Sequence, residues 1–222
     1  MTAICIAERN ACILRVTRLG SDCAPLDGPT DGAILGAIAT INYTQDVQEG
    51  IKYEPVDACG NLVYTAADPD TIKRGNISLE LHKADFEGIE LLTDAALVLN
   101  GDGDTIGVAD PGPLTAHKNG VLLEVWTKAV APDGPCTAGD TPQFFRHIFG
   151  KVLLRPGDRT YEAAAATHSF QGYVEANPNW ADVWGDYPGV GGLPADSPRV
   201  RLLDPAGLPA AACGYVTPGA SS

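Results

Sequence analysis

Basic residues are scarce in this sequence. Lys and Arg number 15 against 28 Asp and Glu, a net charge of −13 over 222 residues. Proteins that read nucleic acid hold its phosphates with Lys and Arg, so tight, sequence-reading contact is not expected. Lasting adhesion to anionic lipid is disfavoured for the same reason. Long apolar runs are also missing. The longest nearly apolar stretch, Ala33 to Ile41, falls far below the roughly 18 residues a membrane helix needs. The segment from Met1 to Val16 carries Glu8 and Arg9 and no basic leader, so the chain reads as lacking a signal peptide and as folding in a cytoplasm.

The six cysteines (Cys5, Cys12, Cys23, Cys59, Cys136, Cys213) contain no CxxC pair. They signal neither a zinc knuckle nor the disulfide framework of a secreted protein, and they read as reduced thiols. Catalytic signatures are absent as well: no Gly-x-Ser-x-Gly, no His-Glu-x-x-His and no phosphate-binding loop. The four histidines, His82, His117, His147 and His168, are dispersed and read as surface or satisfied side chains. Asn100, Asp102 and Asp104 have the first three ligand spacings of a calcium loop. Thr105 and Pro111, however, stand where that loop needs Gly and Glu. Gly101, Gly103 and Gly107 have one residue too many for a dinucleotide loop, and Pro111 and Pro113 break any crossover helix. The expectation is a protein without enzymatic activity, cofactor or metal.

What the chain has is turns and alternation. Gly and Pro contribute 25 and 17 residues, which suits many short strands. Asn76 to His82 alternates strictly between polar and apolar residues, the pattern of a half-buried antiparallel strand. Val121–Val130, Phe149–Arg155 and Thr167–Ala176 read as further strands, the last with Phe170 and Val174 on one side. Leu97–Leu99, an Asn100-Gly101 turn and Ile106–Val108 form a predicted hairpin. Ala33 to Val56 reads as a long hairpin: Ile34–Tyr43 runs out, Thr44–Gly50 is a polar tip, and Ile51–Val56 returns. A turn at Asp57–Asn61 then opens a second hairpin into Leu62–Thr65.

One helix stands out. Asp85 is its N-cap, and Phe86, Ile89 and Leu92 fall at helical spacing beside Leu91. Thr141-Pro142 opens either a second helix or a strand through Phe149. Val200–Leu203 and Cys213–Val216 are strand-like pieces of a Gly/Pro-rich tail. Between Glu80 and Asp110 lie eight acids and one base, Lys83, which form either a solvated face or a surface that repels polyanions.

The order of these pieces resembles a known family. The residues that carry the resemblance are Val16–Leu19 and Pro25–Gly28, then the long hairpin, Cys59–Val63 and Lys73-Arg74. Next come Ile77–Leu81, the Asp85–Thr93 helix with its Ile89–Thr93 run, and Asn100–Val108. Leu122–Lys128, Gly157–Thr160, Gly172–Asn179, Trp180 and Trp184 complete the set. Together they are similar to the major tail tube proteins of long-tailed, non-contractile bacteriophages (siphoviruses), those of actinobacterial hosts in particular. Gly20 stands where the family often has Asp, and Phe86 where it commonly has Pro.

The resemblance implies a mainly β fold: an antiparallel sandwich or barrel of the tail tube type, with one short flanking α-helix, a long extended hairpin loop and a C-terminal arm. Residues 1–222 would form one domain: an N-terminal arm (1–30), the long hairpin (33–56), a β core (57–187, helix at 85–93) and the C-terminal arm (188–222). It further implies hexameric rings of identical copies, stacked into a hollow tube that DNA crosses without specific binding. The other partners are the tape-measure, tail terminator and baseplate proteins. The protein would be made in the bacterial cytoplasm and reside in the virion tail, with no membrane contact. Asn42, Tyr43, Thr44, Gln45, Asp46, Val47, Gln48 and Glu49 are the expected ring-stacking loop. Ile77, Leu79, Leu81, Phe170 and Val174 lie on the strands expected to pair between subunits, and an excess of acids is expected to face the lumen. The alternatives are a related tail ring protein (tail terminator, or a baseplate or distal tail ring) and a β-sandwich surface-binding domain.

Overall fold

The computed structural model describes residues 7–110, 119–130, 144–157, 167–179, 196–204 and 208–218. In chain order the elements are β1 (Ala7–Arg18), β2 (Gly32–Leu35), β3 (Ile38–Gln48), β4 (Lys52–Tyr53), β5 (Ala66–Ala67), β6 (Thr71–Leu81), α1 (Phe86–Thr93), β7 (Ala96–Leu99) and β8 (Thr105–Ala109). They continue with β9 (Val121–Val130), β10 (Phe144–Pro156), β11 (His168–Glu175), β12 (Arg199–Asp204) and β13 (Tyr215–Val216). The protein is mainly β, and among the described residues every strand pairing is antiparallel. The predicted strands at 121–130 and 167–176 correspond to β9 and β11. Phe149–Arg155 is the second half of β10, and Phe144–Phe149 is strand, not helix, at its beginning. Thr141 and Pro142 lie outside the described residues.

One nine-stranded sheet runs β13-β2-β1-β9-β10-β11-β6-β3, with β12 on β10. Strand β10 is shared. Phe144–Phe149 lies between β9 and β12, whereas Lys151–Pro156 pairs with β11, and the register with β9 shifts between Phe149 and Val152. The two halves of the sheet meet over one core. Leu14 and Val16 of β1 with Leu123 and Val125 of β9 face Ile77, Leu79 and Leu81 of β6 and Phe170 and Val174 of β11. The alternation that marked Asn76–His82 as a strand is this burial: every second residue from Gly75 to Leu81 is buried.

Helix α1 closes the core. The Asp85 carboxylate accepts the Gly88 N–H at 2.7 Å, as its capping position predicts, and Asp94 ends the helix in the left-handed region at φ 54°. Eight residues do not hold a helix alone in water. Burial of Ile89, Leu91 and Leu92, roughly 1.5–3 kcal/mol each, outweighs the helix penalty of Gly88, about 1 kcal/mol. Gly88 is there for space: a Cβ would lie 2.6 Å from Leu35 of β2. Phe86, expected on the apolar stripe, is instead 40% exposed.

Both terminal regions contribute strands to the main sheet, the C-terminal ones where strand-like pieces were expected. From Ala7 onward the N-terminal region is strand β1, paired on both sides by β2 and β9. The C-terminal region contributes β12 and β13 to the same sheet. Its last strand is pinned: the Gly214 N–H donates to Asp85 (2.7 Å), and the Tyr215 hydroxyl donates to Glu90 (3.2 Å), which also holds Arg18. Burial and the Glu90 carboxylate push the Tyr215 phenol up to about 12.

The long hairpin differs more. β3 does not turn back at Thr44–Gly50. It continues to Gln48 and pairs with β6, from Ile38 opposite Leu81 to Gln48 opposite Thr71. β4 then pairs β5, Val56 bridges Leu62, and Asp57–Asn61 makes the turn. The two expected hairpins are thus one, running from Ile38 to Leu81. Residues 42–48 of the expected stacking loop are strand in its middle, and the tip lies at Asp57–Asn61.

Candidate assembly surfaces

The outer half of this hairpin is an arm. Residues 51–74 are all exposed. The path from Gln48 to the Asp57 turn reaches up to roughly 30 Å at strand rise. Its backbone is closed on itself: Asp68 donates to the Ile51 carbonyl (3.0 Å) and Val63 to that of Pro55 (2.9 Å). The tip is organised by one carboxylate. Asp57 Oδ1 accepts the N–H groups of Cys59 and Asn61, both at 2.8 Å, and Oδ2 accepts the Asn61 amide. Gly60, at φ 83°, supplies the left-handed residue. The donors from Asn61 hold the Asp57 carboxyl below its usual range.

The side chains on the arm are not those of a solvated loop. Val47, Ile51, Tyr53, Val56, Leu62, Val63, Tyr64 and Ile72 are each 45–62% exposed. A cluster of large apolar residues on one projecting element marks an interaction surface.

The sheet also leaves edges open. β3 pairs β6 on one side only, and among the described residues nothing pairs its other edge. β10 is similar beyond Val152: β11 takes one side of Leu153–Pro156, and no described residue pairs the other. These open edges are not where the residues named from sequence lie. Ile77, Leu79 and Leu81 sit on β6, which has partners on both sides, and Phe170 and Val174 sit on β11, which also does. All five are buried in the core. Alternation locates a half-buried strand. It does not tell an edge from an interior position.

Between the open edges, β3, β6, β11 and the end of β10 turn an outer face to solvent. An open cleft of about 700 Å³ there is lined by amides and hydroxyls, among them Asn42, Asn76, Ser78 and Gln171, together with Arg74 and Arg155. Arg74 pairs loosely with Asp46 (3.7 Å) and lies over the Tyr173 ring, while Lys151 pairs with Glu175 at 3.0 Å. The acids of Glu80–Asp110 do not gather on this face. Asp85 caps the helix, Glu90 binds Arg18, and Asp104 closes the β7–β8 turn with Asn100.

One cluster had no sequence signal strong enough to find. Glu124 is fully buried on β9, where Arg15 of β1 and Arg146 of β10 both bind its carboxylate. Both guanidiniums stack on Trp126, at 5.5 and 4.7 Å from the ring centre. Arg15 also donates to the Pro218 carbonyl at 2.9 Å. The one clue was a lone acid in the apolar run Val121–Trp126. A smaller polar group joins Glu8, Thr127 and His147: the Thr127 hydroxyl donates to Glu8 at 2.6 Å, and His147 Nε2 meets the same oxygen. Burial lowers the His147 pKa despite the Glu8 carboxylate. Both Thr127 and Glu8 approach the same imidazole nitrogen, so this is not the relay of a hydrolase, in which the carboxylate holds the opposite nitrogen. His117 lies outside the described residues. No group of His, Cys, Asp or Glu among the described residues is arranged to hold a metal ion.

Comparison with known proteins brings no identification: no family model matches the chain, and no curated protein matches it. The class defined by the described residues is an antiparallel, mainly β protein with one helix and an exposed two-stranded arm. None of its described helices is long and apolar enough to cross a membrane.

Proposed function

We propose that this protein is a structural subunit that polymerises with copies of itself into the stacked rings of a phage tail tube. The observation that carries the reading is the arm: 24 consecutive exposed residues (51–74) that include seven large apolar side chains, each about half or more exposed. Leaving seven such large side chains in water forgoes burial that a neighbouring ring supplies, at roughly 25 cal/mol per Å². The order of sequence motifs, similar to that of major tail tube proteins, supports the same reading. In it the stacking element is the whole arm, with its tip at Asp57–Asn61. The protein then acts without catalysis or cofactor, and DNA passes through the channel. The tape-measure, terminator and baseplate proteins are its partners in the virion tail.

The test is negative-stain microscopy and sedimentation of the purified protein over a range of concentrations. Hollow rods or rings of uniform width are the expected result. A monomer at every concentration overturns the reading.

A further inference from the structure

We propose that Asn100 is a self-modifying site: its side-chain amide is lost through attack by the Gly101 nitrogen, and opening of the β7–β8 turn sets the rate. The inference does not depend on the assembly reading. Three observations carry it.

First, the chain has two Asn-Gly dipeptides, Asn100-Gly101 and Asn119-Gly120. Glycine after asparagine leaves the backbone nitrogen without a Cβ to shield it. The fold accounts for one of these glycines and not for the other. Gly120 stands at φ 78°, in the left-handed region, and a Cβ there would lie 2.8 Å from the Val152 carbonyl oxygen. Gly101 is not among the left-handed residues, and a Cβ there would meet nothing within 4 Å. The left-handed residue of its turn is Gly103, at φ 90°.

Second, the two sites differ in how easily they open. β7 and β8 form a separate two-stranded sheet. Residues 101–104 are exposed, and Val98, Leu99 and Ile106 are 42–58% exposed. Two strands alone are marginal in water, and such a unit opens at far lower cost than the core. Asn119 and Gly120 are half-buried, next to the buried Val121 that starts β9. The Gly120 carbonyl also accepts the Leu19 N–H at 3.3 Å.

Third, the closed turn holds the amide. Asn100 Oδ1 accepts the N–H groups of Asp102 (2.9 Å) and Asp104 (2.8 Å), and Nδ2 donates to Asp104 at 3.2 Å. The side chain must swing out of these bonds to lay Cγ against the Gly101 nitrogen. Reaction therefore waits on opening.

The chemistry needs water alone. The Gly101 N–H gives its proton to solvent base, and the nitrogen bonds to Asn100 Cγ. The Cγ–Nδ2 bond breaks, and ammonia leaves with a proton from water. A cyclic imide remains. Water opens it at either carbonyl, leaving aspartate or, with the backbone routed through the side chain, isoaspartate. Amide and water become acid and ammonia, and nothing is oxidised or reduced. The product cannot restore the closed turn. Where Nδ2 donated to Asp104, a carboxylate now faces a carboxylate, and like charges at that distance repel.

The experiment incubates the folded protein in warm, mildly alkaline buffer and follows both peptides by mass spectrometry. Asn100 is expected to convert to a mixture of aspartate and isoaspartate. Asn119 is expected to lag at least about tenfold, because local openings range from almost free to as costly as global unfolding. Gly101→Ala fits the open space around that residue and is expected to slow conversion at least about tenfold by shielding the nitrogen. Asp104→Ala removes the Nδ2 acceptor and is expected to speed conversion about two- to tenfold, the net worth of one hydrogen bond.

Asn119 converting as fast as Asn100, or Gly101→Ala converting at the wild-type rate, overturns the site. Asp104→Ala converting no faster than wild type overturns the control by the turn.

Discussion

At the scale of single residues, the buried charge at Glu124 is the most consequential feature. It has two guanidiniums as partners and no exposure to water. Removing the acid takes the shared carboxylate from buried Arg146 and half-buried Arg15, and breaking such a buried pair costs about 3–5 kcal/mol in comparable settings. Glu124→Leu is therefore expected to lower unfolding free energy by that amount in urea titration. A loss under about 1 kcal/mol would show that the arginines find other partners. The cluster was illegible in the sequence because its members lie on three strands more than twenty residues apart. Nothing local links Arg15 to Glu124, or Glu124 to Arg146. Asp85 was legible because its target, the Gly88 N–H, is three residues away.

At the scale of elements, the same distinction between local and distant interactions decides what could be read. The β7–β8 hairpin follows from Asn100, whose side-chain oxygen accepts the N–H groups of Asp102 (2.9 Å) and Asp104 (2.8 Å). Strands β9 and β11 follow from composition and alternation. Which strand pairs with which does not. β3 takes β6 across more than twenty intervening residues in place of the nearer Ile51–Val56, because β6 offers a buried apolar row at Ile77, Leu79 and Leu81 to pack beside Ile41 and Tyr43. The turn at Asp57–Asn61 was visible, but its place as the end of the candidate stacking element was hidden by that pairing. The tip yields a prediction of its own. Asp57→Ala removes the acceptor of three hydrogen bonds and is expected to speed amide exchange at 58–61 without moving the melting temperature. Acid acts the same way. The folded carboxyl lies below its ordinary 3.8, so the order it contributes is complete above that pH and is lost as pH falls through the lower folded value. Tip amides protected equally at pH 2 and pH 6 would contradict this.

At the scale of the molecule, core and arm separate cleanly. The residues of the main core cluster lie on β1, β2, β6, β9, β10, β11 and α1, and no residue within 51–74 is buried. Replacing residues 50–70 with a two-residue Asn-Gly turn joins Glu49 to Thr71 and keeps the β3–β6 ladder. The shortened protein is expected to melt within a few degrees of the full chain and to form no rods. Rods of normal length from it would remove the arm from the stacking role. A shorter cut at 44–50 is a poorer choice, because it takes out paired residues of β3 itself.

The pairing of β3 with β6 down to Gln48 and Thr71, at the base of the arm, has a mechanical consequence. A two-stranded ribbon hung on a loop would swivel, and a tug at its end would go no further than the hinge. Here both legs are rooted in a sheet: β6 runs beside β11 along seven residue pairs. Tension applied at the far end along the legs is therefore carried as shear by many backbone bonds at once, not peeled open one by one. The projection works as a tenon whose base is anchored in the body of the part.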